Sequence, residues 1–322
     1  MTFSALPKYS AGTTQAGEGG HMYNAVVRFC RCYFLFCNCK VMLHVHVICS
    51  PCGLPPAVFY CWSFVIPCAC WLVAGFISRS PALAAHTTLQ GTLGIIGLAA
   101  PAAIAAGLFC RHPALLADLK PRLSLRTIRP RYLLAAVLLG PVTLVLAQLV
   151  SLAFGYSAGQ FRISGYPGFT SALFSPWLLL VLAPLLEELA WHSYGTDALL
   201  ARFRLVTANF IFTAYWFVWH LPLVTIKGYY QANLVAAGWQ YGVNFLASMA
   251  CFVFIMNWLY LKNARNIWIA VVFHLCANLG NEIFATHPDS KIIQTGLFFI
   301  ILARLMGKEK ALFFQRPNGN AP

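Results

Sequence analysis

Residues 176–197 read PWLLLVLAPLLEELAWHSYGTD, an apolar run that carries two adjacent carboxylates, Glu187 and Glu188, near its middle. A helix of about 20 apolar residues crosses the hydrocarbon core of a bilayer. A carboxylate at that depth costs about 3 kcal/mol, so an acid inside a span is by default part of a functional site. We therefore expect this segment to be a membrane span that carries chemistry.

Similar charge-poor stretches recur along the whole chain. Hydrophobic residues make up 60% of the sequence and charged residues only 9%, whereas about 25% of the residues of a soluble domain are charged. This composition excludes an ordinary soluble enzyme and a disordered chain. The sequence predicts an all-α polytopic membrane protein with about eight transmembrane helices, at residues 57–77, 90–110, 132–154, 176–197, 205–226, 240–261, 266–285 and 292–306.

The positive charges indicate an orientation. The net charge is +14, and eight crossings place 18 of the 22 Lys and Arg residues on one face. An excess of Lys and Arg marks the cytoplasmic side, so we expect both termini in the cytosol, and the plasma (inner) membrane as the location in a bacterium. The basic strip from Arg111 to Arg131 is then interpreted as a cytosolic loop that attracts anionic lipid, and a nucleic-acid partner is disfavoured.

The chain divides into three parts. Residues 1–56 form a Cys-rich extension, 57–306 the transmembrane domain and 307–322 a basic cytosolic tail. The Cys49-Ser-Pro-Cys52 pair has the spacing of a zinc or redox site, and juxtamembrane cysteines are also sites of palmitoylation. An extension without a function, or a start assigned too far upstream, explains the same residues.

The two glutamates need separate partners, because neighbours on a helix point about 100° apart. His192 follows Glu188 by four residues, which places both side chains on one helix face. We expect a Glu188–His192 pair to support the site.

Two further spans carry imidazole groups in apolar surroundings. His220 ends the fifth span, and His274 and Asn278 share one face of the seventh. Polar groups delivered by three separate helices favour one shared site, built from spans four, five and seven, over unrelated buried residues.

In this order, the three motifs resemble those of the CPBP family of intramembrane proteases, which includes the type II CaaX prenyl endopeptidases and the lysostaphin-resistance-like group. The matching residues are Glu187-Glu188, His220, and His274 with Asn278. The resemblance implies an endopeptidase that cleaves a peptide or protein substrate, lipidated in the prenyl endopeptidases, in or near the bilayer. The chain departs from the family pattern twice, with His192 in place of an Arg and Trp216 in place of a frequent Phe.

The chemistry of these groups suggests a mechanism. Hydrolysis needs an activated water and donors for the developing oxyanion. We expect Glu187 to activate water with the help of His220, and His274 and Asn278 to stabilise the oxyanion. The same Glu187, His220 and His274 form the ligand set of a catalytic metal such as zinc, and the resemblance leaves a metal-dependent and a glutamate-only reaction open. A proton-coupled transporter and a catalytically silent scaffold of the same family are the alternatives.

Overall fold

The computed structural model describes residues 56–315. The predicted N-terminal extension up to residue 55 and the end of the tail from residue 316 lie outside the described residues. Within the described part the chain is helical and forms no strand, apart from one isolated bridge between Ile163 and Phe284. The α-helices are α1 (Pro56–Arg79), α2 (Thr87–Arg111), α3 (Pro113–Arg122), α4 (Pro130–Leu152), α5 (Pro176–Ala190), α6 (Thr196–Leu200), α7 (Leu205–His220), α8 (Tyr230–Ala237), α9 (Trp239–Lys262), α10 (Ile267–Ile283), α11 (Pro288–Lys308) and α12 (Lys310–Phe314).

Helical segments occupy all eight predicted ranges, but they are unequal in length. Among the described residues, the helices α1, α2, α4, α9 and α11 are long and apolar enough to cross a membrane. The pair formed by Leu205–Thr225 and α8 would add a sixth span that is bent by 85°. The all-α membrane fold is confirmed, whereas the count of eight spans is not. The helices that fall short include α5 and α10, which carry the predicted site residues.

A π-helical segment at Trp191–Gly195 joins α5 to α6. It begins three residues after Glu188, so it directly follows the two carboxylates. A π-bulge frees backbone carbonyls from their regular partners and often occurs at functional sites. The carbonyls of this segment therefore need donors from elsewhere in the fold.

The basic strip between the second and third predicted spans is not simply a loop. It contains helix α3 and a short 3-10 helix at Leu125–Thr127. Pro113 at the first position of α3 has no N–H that needs a partner there, which suits a helix start. This helix carries Arg122 back into the protein, where the side chain is 95% buried.

The outer surface of the bundle is apolar. On α4, Leu134 is 59% exposed and Leu149 is 50% exposed. Soluble monomers rarely present such continuous apolar faces, and contact with lipid accounts for them. The inner face of α4 packs closely on α10, since a Cβ on Gly140 would lie 3.3 Å from Cα of Ala277. Small residues allow helices in membranes to pack this closely. Gly140 and Ala277 therefore determine how near α4 and α10 approach each other.

Candidate active site

A cavity of about 270 Å³ lies between the helices and receives most of the predicted site residues. Glu187 reaches it from α5, His220 from the end of α7, and His274 and Asn278 from α10. Glu188 and His192 do not line the cavity and are fully buried behind it. The three helices expected from the sequence thus meet at one place.

The two adjacent glutamates have different surroundings. Glu187 is almost fully buried, and its Oε2 accepts a hydrogen bond from the indole Nε1 of Trp216 at 2.9 Å. Glu188 accepts hydrogen bonds from Nδ1 of His192 and, at 2.7 Å, from Nδ1 of His274. Of this pair, Glu187 presents its carboxylate to the cavity, and Glu188 organises the residues behind it.

His192 connects Glu188 to two buried amides. Its Nε2 lies 2.8 Å from Oδ1 of Asn257, and Nδ2 of Asn257 donates to Oδ1 of Asn209 at 2.6 Å. His192 thus contacts the Glu188 carboxylate with one ring nitrogen and the Asn257 amide with the other. A fully buried carboxylate needs such a partner, because an unpaired buried charge is costly.

The two cavity histidines are each held at Nδ1. In His220 this atom donates to the carbonyl of Trp216 at 2.7 Å, and in His274 it donates to Glu188. The hydrogen bonds orient both rings and leave both Nε2 atoms for a molecule in the cavity. The rings of Trp216 and Phe252 flank His274 at centroid distances of 5.5 and 5.2 Å, which restricts its rotation.

The indole of Trp216 has a role that its sequence position did not reveal. The sequence suggested an aromatic wall in place of a frequent Phe, but the Nε1–H group also holds the Glu187 carboxylate. A phenyl ring has no such donor. In the sequence, Trp216 was marked only by standing where the family often has Phe.

Arg122 is a second residue that sequence analysis missed. Its guanidinium donates to the carbonyls of His192 and Ser193 in the π-helical segment, the latter at 3.0 Å, and to the hydroxyl of Tyr260 at 2.7 Å. The same group pairs with Asp118 at 2.7 Å and with Asp197 at 2.8 Å. Arg122 therefore supplies the donors that the π-helical segment lacks.

Arg265 completes this ionic cluster at the basic end of the bundle. It contacts Asp118 at 2.7 Å and Asp197 at 2.6 Å. Burial acts to raise the pKa of Asp118, but hydrogen bonds from Arg265 and Arg122 outweigh burial and hold this pKa below its ordinary value. For Arg265, burial acts to lower the pKa, while hydrogen bonds to Asp197 and Asp118 raise it above its ordinary value.

The opposite end of the cavity is its mouth, which carries an acid and a base. Glu282, at the last turn of α10, and Lys291, in the first turn of α11, both line the cavity there. Glu282 accepts a hydrogen bond from the backbone N–H of Gly168. This hydrogen bond connects the loop before α5 to the end of α10. This acid was visible in the sequence, but no role followed from its position.

The predicted metal ligands do not form a metal centre in this arrangement. Within residues 56–315, no group of three His, Cys, Asp or Glu side chains is close enough to hold a metal ion. One oxygen of Glu187 is also held by the Trp216 N–H. In this arrangement the three predicted ligands are not grouped around one position, and no chemical step is derived through a metal.

Two comparisons with known proteins find relatives of this chain. The profile of a family described as type II CAAX prenyl endopeptidase Rce1-like matches residues 169–280, which include all six predicted site residues. The chain is also 31% identical over 264 residues to CAAX prenyl protease 2 of Methanococcus maripaludis, a match that covers 81% of this chain and 96% of the relative.

Proposed function

Since the chain belongs to the family of Rce1-like type II CAAX prenyl endopeptidases, we propose that it is an integral membrane endopeptidase that hydrolyses a peptide bond in the cavity, in or near the bilayer. The observation that carries the proposal is the convergence of Glu187, His220, His274 and Asn278 on one cavity. The substrate is a peptide or protein, and a lipid attached to it would lie against the apolar lining.

Glu187 acts as the general base in this reaction. Trp216 holds one carboxylate oxygen, so the other is left to take a proton from a water molecule and to return it to the leaving nitrogen when the C–N bond breaks. The free Nε2 of His220 accepts the second hydrogen of that water and orients it. A positioned base of this kind contributes about 10²–10⁴-fold to the rate.

His274 and Asn278 stabilise the oxyanion that forms when the water attacks, His274 by donating from Nε2 in its protonated form. They lie one turn apart on α10, so their polar groups are side by side along the cavity wall. Glu188 orients His274 through its hydrogen bond and His192 orients Glu188. A preorganised donor of this type is worth about 10²–10³-fold.

The orientation and the domain limits complete the proposal. The basic end of the bundle lies in the cytosol with both termini, in the plasma membrane if the source is bacterial. Residues 57–306 form the protease domain and 307–322 a cytosolic tail. These assignments are supported by the distribution of Lys and Arg along the sequence.

The activity can be tested with purified protein in detergent or liposomes. Matched peptides with and without a lipid on a cysteine near the C-terminus are incubated with the wild type, with Glu187→Gln and with the control Glu309→Gln. Glu309 pairs with Lys262 at the basic end, away from the cavity. We expect Glu187→Gln to lose at least 100-fold in rate while it keeps the Trp216 hydrogen bond and its folding, and Glu309→Gln to match the wild type.

Two outcomes would contradict the proposal. Undiminished cleavage by Glu187→Gln would remove the role of Glu187. The absence of cleavage by a folded wild type, for every peptide and with zinc added, would favour the silent scaffold. A parallel series with a chelator tests the metal-dependent reaction, which predicts loss of activity on metal removal and recovery on its return.

A further inference from the structure

Two buried amides lie behind the cavity and take no part in the proposed reaction. Asn257 belongs to α9 and Asn209 to α7, and both side chains are buried in the bundle. Burying an amide among apolar side chains costs free energy unless its polar atoms find hydrogen-bond partners. A hydrogen bond that joins two helices is a common use of such a pair in membranes, but the contacts of Asn257 extend further, to His192.

Asn257 is the partner of the second ring nitrogen of His192. Its Oδ1 lies 2.8 Å from Nε2 of His192, and the imidazole is fully buried. Tyr260 packs edge-on against this ring at a centroid distance of 4.7 Å, but its hydroxyl contacts the backbone carbonyl of His192. An amide can present its oxygen or its nitrogen at the same place, so Asn257 fits the ring whether Nε2 carries a hydrogen or not.

Asn209 limits the rotation of the Asn257 amide. Its Oδ1 accepts a hydrogen bond from Nδ2 of Asn257 at 2.6 Å, so both polar atoms of the Asn257 amide are held. Nδ2 of Asn209 has no hydrogen-bond partner within residues 56–315. The line of side-chain hydrogen bonds that starts at Asn209 therefore runs through Asn257 to His192.

This line of contacts reaches the cavity through Glu188. Its Oε2 is bound to Nδ1 of His192 and its Oε1 to Nδ1 of His274, the latter at 2.7 Å. The terminal torsion of a glutamate side chain has broad energy minima, so the two rings set the plane of this carboxylate. A rotation of the His192 ring would therefore turn the carboxylate and displace the acceptor of His274.

An imidazole needs a second point of attachment to hold a carboxylate in one orientation. A guanidinium group is planar and binds a carboxylate through two N–H groups at once. The imidazole of His192 offers Glu188 a single ring nitrogen, so its angle depends on what holds the other nitrogen. Asn257 supplies that contact.

We propose that Asn257 is a positioning residue, which fixes the angle of His192 and, through Glu188, the orientation of His274 in the cavity. The inference rests on the proposed peptidase activity and adds a residue behind the cavity to it. Five buried side chains, from α5, α7, α9, α10 and the π-helical segment, form the line of contacts. The oxyanion donor on α10 is thus held by helices on the far side of Glu188.

Cleavage kinetics test the inference. Asn257→Leu keeps the approximate volume of the side chain and removes its hydrogen bonds. Loss of a buried hydrogen bond that orients His274 predicts a fall in kcat of about tenfold with little change in KM. The control Gln148→Leu removes another buried amide, which donates to the carbonyl of Gln160 and to Thr286, and should keep the kcat of the wild type per folded molecule. Asn257→Ser, whose hydroxyl can bond to its own helix, takes the place of a Leu variant that does not fold.

A second background separates positioning from a structural effect. In His192→Arg a guanidinium group binds Glu188 through two N–H groups, so adding Asn257→Leu should lower kcat less than about twofold. A purely structural role of Asn257 predicts the same loss in both backgrounds. An equal loss in both backgrounds, or a loss in Asn257→Leu no larger than in Gln148→Leu, would overturn the inference.

Nuclear magnetic resonance keeps this inference separate from the peptidase activity. Wild type, Asn257→Leu and Gln148→Leu are isotope-labelled at the histidine ring nitrogens, and His274→Gln identifies the His274 signals. Changed His274 shifts in Asn257→Leu alone support the inference even in an enzyme that cleaves nothing. Unchanged His274 shifts in Asn257→Leu, or equal changes in Gln148→Leu, reject it even if cleavage is observed.

Discussion

Replacing Arg122 by Met should destabilise the protein markedly, although Arg122 lies in a strip that the sequence presents as an ordinary basic loop. Met has a side chain of similar length and removes the guanidinium without opening a large cavity. The carbonyl of Ser193 loses its side-chain donor, and the carbonyl of His192 keeps only the Tyr260 hydroxyl, at 3.1 Å. The backbone carbonyls of the π-helical segment after the two glutamates would then lack hydrogen-bond donors.

The size of the effect depends on what remains after the substitution. Truncating one partner of a buried ion pair costs about 3–5 kcal/mol when the other charge is left unpaired. Asp197 is not left unpaired, because Arg265 contacts it at 2.6 Å. The loss is therefore closer to that of one or two hydrogen bonds to charged groups, at about 1.5–3 kcal/mol each. We expect about 2–4 kcal/mol, or a fall in Tm of roughly 5–15 °C.

Thermal unfolding in detergent measures this effect against a matched control. Arg126→Met makes the same change at an exposed position of the same strip and should alter stability by less than about 0.5 kcal/mol. A loss in Arg122→Met no larger than in Arg126→Met would refute the reasoning. Unfolding at acid pH offers a second measurement, because the pKa of Asp118 is lowered in the folded protein. The contribution of Asp118 to stability is complete above about pH 4 and is lost as the pH falls through the pKa of the folded state. This loss should be smaller in Arg122→Met, because one of the two cations beside Asp118 is gone.

Three further predictions concern the site and the topology. His192→Arg restores the family residue beside Glu188 and should leave activity equal or higher. The pH dependence of activity should become flatter near pH 6–7, where an unperturbed His titrates at about 6.5. Loss of activity in a folded variant would show that His192 has a function of its own. Trp216→Phe removes the donor to Glu187 and keeps the aromatic wall, so kcat should fall about tenfold or more with little change in KM, and an unchanged kcat would make the hydrogen bond incidental. A reporter that works only in the cytosol should be active when fused to the C-terminus, and activity of a reporter that works only outside would reverse the proposed orientation.

The fold was largely predictable because its signals are local. Apolar runs of about 20 residues predict helices directly, and helical segments occupy every predicted range. Their exact lengths were not predictable, since α5 gives way to the π-helical segment at Trp191 and α7 ends at His220. Pro222, two residues after His220, is a local signal for the end of α7, whereas no single residue marks the change to a π-helix at Trp191.

The convergence of the site residues was predictable for a related reason. A Glu or His inside an apolar run is a rare event, and several such events on different spans indicate a shared site. Arg122 gave no such signal, because it was one of many positive charges in a polar strip. Its burial depends on how α3 folds back against the π-helical segment, which is a tertiary contact. Asn209 and Asn257 were missed because a neutral amide in an apolar helix is a weaker signal than a charged group. Both are buried near His192.

The orientation of the bundle and the source of the substrate are coupled. Helix α10 begins next to Arg265 at the basic end and ends at Glu282 at the mouth of the cavity. The basic cluster and the mouth therefore lie at opposite ends of the same helix. With the basic end in the cytosol, as the distribution of Lys and Arg predicts, the mouth of the cavity faces the other side of the membrane; with the opposite orientation it faces the cytosol. The reporter fusion thus decides which compartment the mouth of the cavity faces.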